Sequence, residues 1–181
     1  MVKVLMPLAQ GCEELEAVTI IDLLRRAGIE VVTAGLQAGP VTASRGTVLV
    51  PDRELAAVLD EDFDMIVLPG GQPGSRNLGG DPRVIRLLQK MAGSDRFTCA
   101  ICAAPSVLAK AGLLEAKQAT AYPGALDDFS AVQLSDAPVV SDGKIITSRG
   151  PGTAMDFALT LIENLLDSES RQKVEAGLVR A

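Results

Sequence analysis

The stretch that most constrains what this chain can fold into is residues 97–112, FTCAICAAPSVLAKAG. Residues 97–101 read as a short, tightly buried strand, after which the chain turns at Cys102 into a helix opened by Ala103, Ala104 and Pro105. Proline suits a helix's first turn, where its missing N–H leaves no bond unmade. A strand ending in a reactive-type residue, then small residues and a helix, is the plan of a nucleophile elbow, with a thiol in place of a hydroxyl. A cysteine there meets unpaired backbone N–H groups and the positive end of a helix dipole, both of which favour thiolate over thiol. A small buried core residue, the usual role of a free cysteine, fits the same pattern, and the elbow alone does not choose between them.

Around the elbow, apolar runs alternate with amphipathic ones. Residues 2–8 read as a central parallel strand, followed by Gln10-Gly11-Cys12 and a helix that opens with Glu13, Glu14 and Glu16 and stops at Gly28. Residues 29–34 give the next strand, 41–50 two short strands hinged at Arg45-Gly46, and 55–59 a brief helix. The strand at 65–68 ends in Pro69-Gly70-Gly71 and is expected to lead into a long Gly/Pro-rich loop to Gly80. Asp81-Pro82 then supplies an N-cap and first-turn proline for a helix ended by Gly93. After the elbow come a short strand at 119–121, a hairpin over 139–146 turning at Asp142-Gly143, and helices over 153–166 and 168–179. Strands alternating with helices predict an α/β sandwich with a mostly parallel sheet, its ligands at the carboxyl ends of the strands.

With 181 residues and few aromatics (3%), the chain is expected to form one domain over 1–181 with an aliphatic core. A net charge of -6 without a basic run argues against stable nucleic-acid binding. No apolar run reaches the roughly 20 residues of a membrane span, and residues 1–9 are too short and strand-like for a signal peptide. The three cysteines lack disulfide-framework spacing, so a cytoplasmic location is expected.

Several chemistries drop out. There is no histidine, hence no Ser-His or Cys-His dyad within the chain and no convincing zinc set; no metal is expected. Cys99 and Cys102 have C-x-x-C spacing, but Cys99 falls inside the strand rather than at an exposed turn. The turn after the first strand lacks a G-x-G-x-x-G pattern and has three glutamates where a pyrophosphate would sit. Gly70-Gly71 lacks a P-loop's Lys-Ser/Thr; it serves either as a plain turn or as a source of N–H groups for an oxyanion. Glu13, Glu14 and Glu16 each continue an apolar row at i+4, so periodicity cannot say which is buried. A carboxyl forced out of water has a raised pKa and can shuttle a proton near neutrality; compensation of the helix dipole is the simpler role for at least two of them.

Five segments in order, GCEELEAVTIIDLLRRAG, SRG at 44–46, VLPGG at 67–71, AICAAPSVLA and TSRGPGTAMDFAL, resemble the ThiJ/PfpI superfamily, in the branch of the parkinsonism-associated deglycase and its bacterial relatives. The resemblance covers nearly the whole chain. It implies a flavodoxin-like three-layer sandwich acting as a homodimer, with no cofactor. It places Cys102 on the nucleophilic, oxidation-sensitive cysteine, Glu16 on the acid that hydrogen-bonds it, and Gly71 and Ala103 on the backbone donors beside the sulfur. Arg45, and Arg26 from the dimer partner, fall on arginines near the pocket, and Gly150 and Pro151 on a loop that walls it. Where several relatives carry a histidine near the cysteine, this chain has Tyr122, whose phenol, with an unperturbed pKa near 10, is a poor base; that departure argues against a Cys-His peptidase. The activity implied is cysteine-dependent chemistry on small carbonyls, of the glutathione-independent glyoxalase or protein deglycase type. The alternatives are a redox-sensing chaperone using Cys102 oxidation, and a non-catalytic binding domain.

Overall fold

The computed structural model describes residues 1–180. The chain begins β1 (Lys3–Leu8), α1 (Glu14–Arg26), β2 (Glu30–Gly35), then a small antiparallel ribbon of β3 (Val41–Thr42) and β4 (Val48–Leu49). Next come β5 (Arg53–Glu54), a 3-10 turn (Leu55–Ala57), β6 (Met65–Leu68), α2 (Gly74–Gly80), α3 (Pro82–Gly93), β7 (Phe97–Ile101) and α4 (Pro105–Lys110). It finishes with β8 (Gln118–Ala119), β9 (Gln133–Leu134), β10 (Val139–Asp142), β11 (Ile145–Ser148), a 3-10 turn (Pro151–Thr153), α5 (Ala154–Leu165) and α6 (Ser168–Gly177).

Seven strands form the central sheet in the order β10-β11-β7-β6-β1-β2-β5, parallel throughout except for β10 against β11. Side-chain alternation along β1 explains the two layers: Val4, Met6 and Leu8 point into the core shared with Ile20, Leu24 and Phe157, while Leu5 packs with Val84, Leu88 and Leu108 on the other face. Each fully buried aliphatic side chain is worth roughly 1.5–3 kcal/mol, so burial on both faces holds the strands. This is the flavodoxin-like sandwich. The chain leaves β1 toward the α1 face and β6 toward the α2–α3 face, which opens a crevice at the carboxyl ends of these two strands. Among the described residues, no helix is long and apolar enough to cross a membrane.

The stop and start signals act as expected. Gly28 closes α1 in a left-handed conformation (φ 78°), and Asp81 Oδ1 accepts the Arg83 N–H at 2.9 Å to cap α3. One expectation is corrected: the loop after Gly71 contains α2, whose first turn forms when the Ser75 N–H reaches Gly71 O at 2.9 Å. Its glycines allow close packing, since a Cβ on Gly74 would sit 2.6 Å from Cys12 Cα and one on Gly79 3.5 Å from Val107. Three smaller differences concern edges. The strand expected at 119–121 is Gln118–Ala119, because the Thr120 N–H bonds Thr147 Oγ1 instead. The hairpin turns at Gly143-Lys144, since Asp142 pairs with Ile145. The short strands β5 and β9 were not anticipated.

Candidate active site

β7 delivers Cys102 to the carboxyl edge of the sheet. Its N–H extends the β7–β11 pairing by donating to Ser148 O at 3.0 Å, and its carbonyl accepts the Tyr122 N–H at 2.8 Å. Held from both sides, Cys102 adopts φ 64°, a left-handed conformation that costs a non-glycine residue about 1–3 kcal/mol. The turn completes as the Ala104 N–H bonds Ile101 O at 3.0 Å and the Ser106 hydroxyl caps Ala103 O at 2.6 Å. Cys102 is left 7% exposed, and the Gly71 and Ala103 N–H groups act on its sulfur in favour of the thiolate.

Of the three acids that open α1, Glu16 turns inward and is 0% exposed. The other two are engaged elsewhere. The Ser44 hydroxyl donates to Glu13 Oε2 at 2.7 Å and to Glu14 Oε2 at 3.1 Å, and the Arg45 and Thr47 N–H groups add to Glu14. Partial burial works against ionisation of Glu14, but these donors and its own N–H hold its pKa down at about 2. Glu16 Oε2 accepts the Gly70 N–H at 2.8 Å. A Cβ on Gly70 would lie 2.6 Å from Cys102 Cβ and 2.7 Å from Glu16 Oε2, so thiol and carboxyl meet over the bare face of this glycine. The sequence offers Gly70-Gly71 as a pair of N–H donors for an oxyanion; the Gly70 N–H instead serves the Glu16 carboxyl, a role that the doubled glycine after a strand does not by itself signal.

Burial raises the pKa of Glu16 to about 7, the charge of Glu13 adding to it and the Gly70 N–H and Cys102 pulling back. Burial likewise pushes the Cys102 thiol up to about 12, and the charge of Glu16 beside it adds to the rise. The Gly71 and Ala103 N–H groups lower it, as the elbow pattern implies, but burial and then the charge of Glu16 outweigh them. The site therefore resists holding two negative charges, and a proton on Glu16 removes the charge that opposes the thiolate. Cys99 is wholly buried inside β7 and raised further by burial. Cys12 is buried and raised to about 11 by desolvation and then by Glu14. Neither stands at a strand end among backbone donors.

The remaining candidates sit at different removes. Gly71 (φ 87°) is directly at the sulfur. Tyr122 is tied to the Cys102 carbonyl and is 54% exposed, its ring edge 3.6 Å from where a Gly150 Cβ would be. Gly150 and Pro151 begin the turn after β11, held by the bond from the Gly150 N–H to Thr153 Oγ1 at 3.1 Å. Arg45 lies exposed on the ribbon turn, which docks on the start of α1 through the Ser44 N–H and Cys12 O at 2.8 Å. Arg26 is not brought to the site within one chain: it lies ten residues along α1 from Glu16, about 15 Å, and pairs with Asp22 at 2.6 Å. Among the described residues, no three His, Cys, Asp or Glu side chains converge as metal ligands would.

The sequence matches the DJ-1/PfpI family over residues 2–164. It is 45% identical over 179 residues to Protein dj-1beta of Drosophila melanogaster, covering 96% of this chain and 95% of that protein. It is 38% identical over 159 residues to the Glutathione-independent glyoxalase DJR-1.2 of Caenorhabditis elegans, covering 86% of this chain and 84% of that one. Among solved structures, that of oxidized DJ-1 from Toxoplasma gondii superposes with a TM-score of 0.96 at 42% identity over 100% of both chains. Agreement of this extent in both sequence and superposition leaves one conclusion: the chain belongs to the DJ-1/PfpI family, in the DJ-1 branch.

Proposed function

We propose that the chain is a cofactor-free cysteine enzyme acting on small reactive dicarbonyls such as methylglyoxal, or on their early protein adducts. The observation that carries this reading is the Cys102–Glu16 pair, a thiol flanked by two N–H donors beside a buried carboxyl with its pKa near 7. The glyoxalase name of the Caenorhabditis elegans relative supports the same reaction class.

In this mechanism Glu16 takes the thiol proton as Sγ attacks the aldehyde carbon, and the carbonyl π electrons move to oxygen. The oxyanion faces the Gly71 and Ala103 N–H groups and is protonated to a hemithioacetal. Having given the thiol proton to that oxyanion, Glu16 removes the hydrogen from the former aldehyde carbon as the ketone oxygen is protonated to an enediol, and it then returns a proton to the neighbouring carbon as the first hydroxyl loses its own. The former aldehyde carbon is thereby oxidised to a thioester while the ketone carbon is reduced to an alcohol, so no external oxidant is needed. Water attacks the thioester, releasing the hydroxy acid and the free thiol. A carboxyl poised near 7 suits repeated donation and acceptance at neutral pH. The exposed tyrosine at 122 donates no basic nitrogen, so Glu16 carries the proton transfers alone.

A second copy of the chain completes the site in this reading. Leu15 and Val18 are 50% and 47% exposed on the outer stripe of α1 that also carries Arg26, and Val48 and Val50 are exposed nearby in sequence to Arg45. An apolar stripe beside the active-site helix favours association through that face. The deciding experiment is lactate formation from methylglyoxal by purified protein and by Cys102→Ser: loss of activity with an unchanged circular-dichroism spectrum is expected, and undiminished turnover would sink the proposal.

The oxidized state named for the Toxoplasma gondii structure favours one second reading, a redox sensor or chaperone. The donors around Sγ suit a sulfinate, which a protonated Glu16 would hold by a charge-assisted hydrogen bond. Selective oxidation of Cys102 by mild peroxide, with negligible turnover on every small aldehyde, would decide for this reading.

A further inference from the structure

A second concavity lies at the carboxyl ends of β1 and β2, on the α2–α3 side of the sheet and apart from the thiol. Its volume is about 500 Å³, within the ~300–1,000 Å³ of small-molecule sites. Leu8, Ala9 and Val41, all buried, line its base. The walls are polar, and their charge is one-sided. Asp81 is the one acid among the lining residues, and it is consumed by Arg83, whose Nε and Nη2 bond it at 3.0 and 2.6 Å while Nη2 also reaches Leu36 O at 2.7 Å. Arg76 has neither an ion pair nor a hydrogen bond with any described residue, although most arginines of the chain have one.

The neutral polar groups are also partly unused. Asn77 donates to Gln10 O at 2.9 Å, leaving its Oδ1 free, and the Gln37 amide has no partner among the described residues. With Arg83 and Asp81 cancelling each other, the net charge of the cleft lining is the single positive charge of Arg76, in a chain whose net charge is -6. Charge, unpaired donors and an apolar base agree on the ligand's chemistry. We propose that this cleft binds a small organic anion, a carboxylate or phosphate monoester on a partly apolar body. Arg76 grips the anionic group, Gln37 and Asn77 meet neutral polar atoms, and the body rests on Leu8, Ala9 and Val41. The site is independent of the Cys102 chemistry.

The test is titration calorimetry of the full chain with benzoate, phenyl phosphate, inorganic phosphate and neutral benzyl alcohol. Saturable binding of benzoate or phenyl phosphate is expected at one per chain, with amide NMR shifts at Gln37, Asn77 and Gly80; the tighter of the two identifies the anionic group. Arg76→Ala, at an exposed and unbonded position, is expected to weaken binding at least tenfold without changing the Tm, and Arg76→Glu to abolish it. Gly80→Leu supplies a second variant, since a Cβ there meets no atom within 4 Å and the longer side chain competes for the cleft; weakened binding is expected. Cys102→Ser is expected to bind as the parent does. The proposal is overturned if neither aromatic anion saturates, if inorganic phosphate or benzyl alcohol binds as tightly as they do, if Arg76→Ala binds normally, or if binding is lost in Cys102→Ser.

Discussion

The N–H of Gly70 lies 2.8 Å from Oε2 of Glu16, a bond between residues 54 apart in the sequence. It ties the first helix to the end of β6 at the point where the Cys102 side chain arrives from β7. Any side chain at position 70 would occupy the space the carboxyl and the thiol share. The bond thus fixes the carboxyl's position, and the bareness of Gly70 lets the thiol reach it.

Gly70→Ala tests this arrangement. The added methyl must displace Cys102 Cβ, Glu16 Oε2 or the Ile101 carbonyl, which a Cβ would approach to 2.6, 2.7 and 2.9 Å. Overpacking of this kind costs about 1–3 kcal/mol. We expect a Tm lowered by several degrees and turnover on methylglyoxal reduced more than tenfold, read by thermal denaturation and lactate assay. Unchanged turnover in the folded variant would mean that the two side chains need not meet.

The buried carboxyl also predicts a pH dependence of stability. Burial holds Glu16 at about 7 against an ordinary value of 4.5. A group whose pKa is raised on folding contributes stability that is complete below 4.5 and is lost as pH rises through 7, here about 3 kcal/mol. The parent Tm should therefore fall between pH 5 and 8. Glu16→Gln, neutral throughout, should show a flatter profile and exceed the parent at pH 8; parallel profiles would refute the assignment. Asp52, Asp81 and Asp142 act in a separate window: their pKa values are lowered on folding, so their contribution is present above the ordinary value of 3.8 and lost as pH falls below it.

The same substitution separates reactivity from catalysis. At pH 8 the ionised Glu16 opposes the thiolate, second only to burial. Glu16→Gln removes that charge, so iodoacetamide should label Cys102 about tenfold faster than in the parent, as followed by mass spectrometry. Turnover should nonetheless fall by roughly 10²–10⁴, the usual contribution of a positioned acid–base group, because an amide cannot carry the proton. Cys12 and Cys99 should remain unlabelled in the folded chain. Equal labelling rates at Cys102 in the two proteins would show that the carboxylate does not restrain the thiol.

The elbow was legible because its signals are local: an apolar strand, a small-residue turn and Pro105 in the first helical turn. Helix α2 was not, because GSRNLGG has poor helix propensity, and the helix exists through contacts that only the assembled fold provides, Gly74 on Cys12 and Gly79 toward Val107. Glu16 shows the same divide. Three acids within four residues are alike to periodicity, and they are sorted by the Ser44–Thr47 turn, which takes Glu13 and Glu14 and leaves Glu16 to Gly70. The family resemblance selected Glu16 where spacing left the choice open. The elbow's backbone N–H groups pull the thiol toward thiolate, but burial and the neighbouring charge, both products of tertiary packing, set the net outcome and raise its pKa.

The outer stripe of α1 supplies the last prediction. Leu15, Val18, Asp22 and Arg26 recur at helical spacing on its exposed side, two apolar side chains one turn apart followed by an Asp22–Arg26 ion pair. Within one chain Arg26 is about 15 Å along the helix from Glu16, too far to touch a substrate at Cys102, so it reaches a site only by crossing to a second copy packed antiparallel on this stripe. If two copies pair through this stripe, as proposed above, the parent should sediment as a dimer and Val18→Glu, which places a charge in the apolar patch, as a monomer in analytical ultracentrifugation, without unfolding a chain in which Val18 is 47% exposed. If the partner's arginine helps hold the substrate, the monomer should lose kcat/KM chiefly through a raised KM, and Arg26→Ala should reproduce that rise in a protein that is still dimeric. A monomeric Val18→Glu variant with the parent's KM would confine the active site to a single chain.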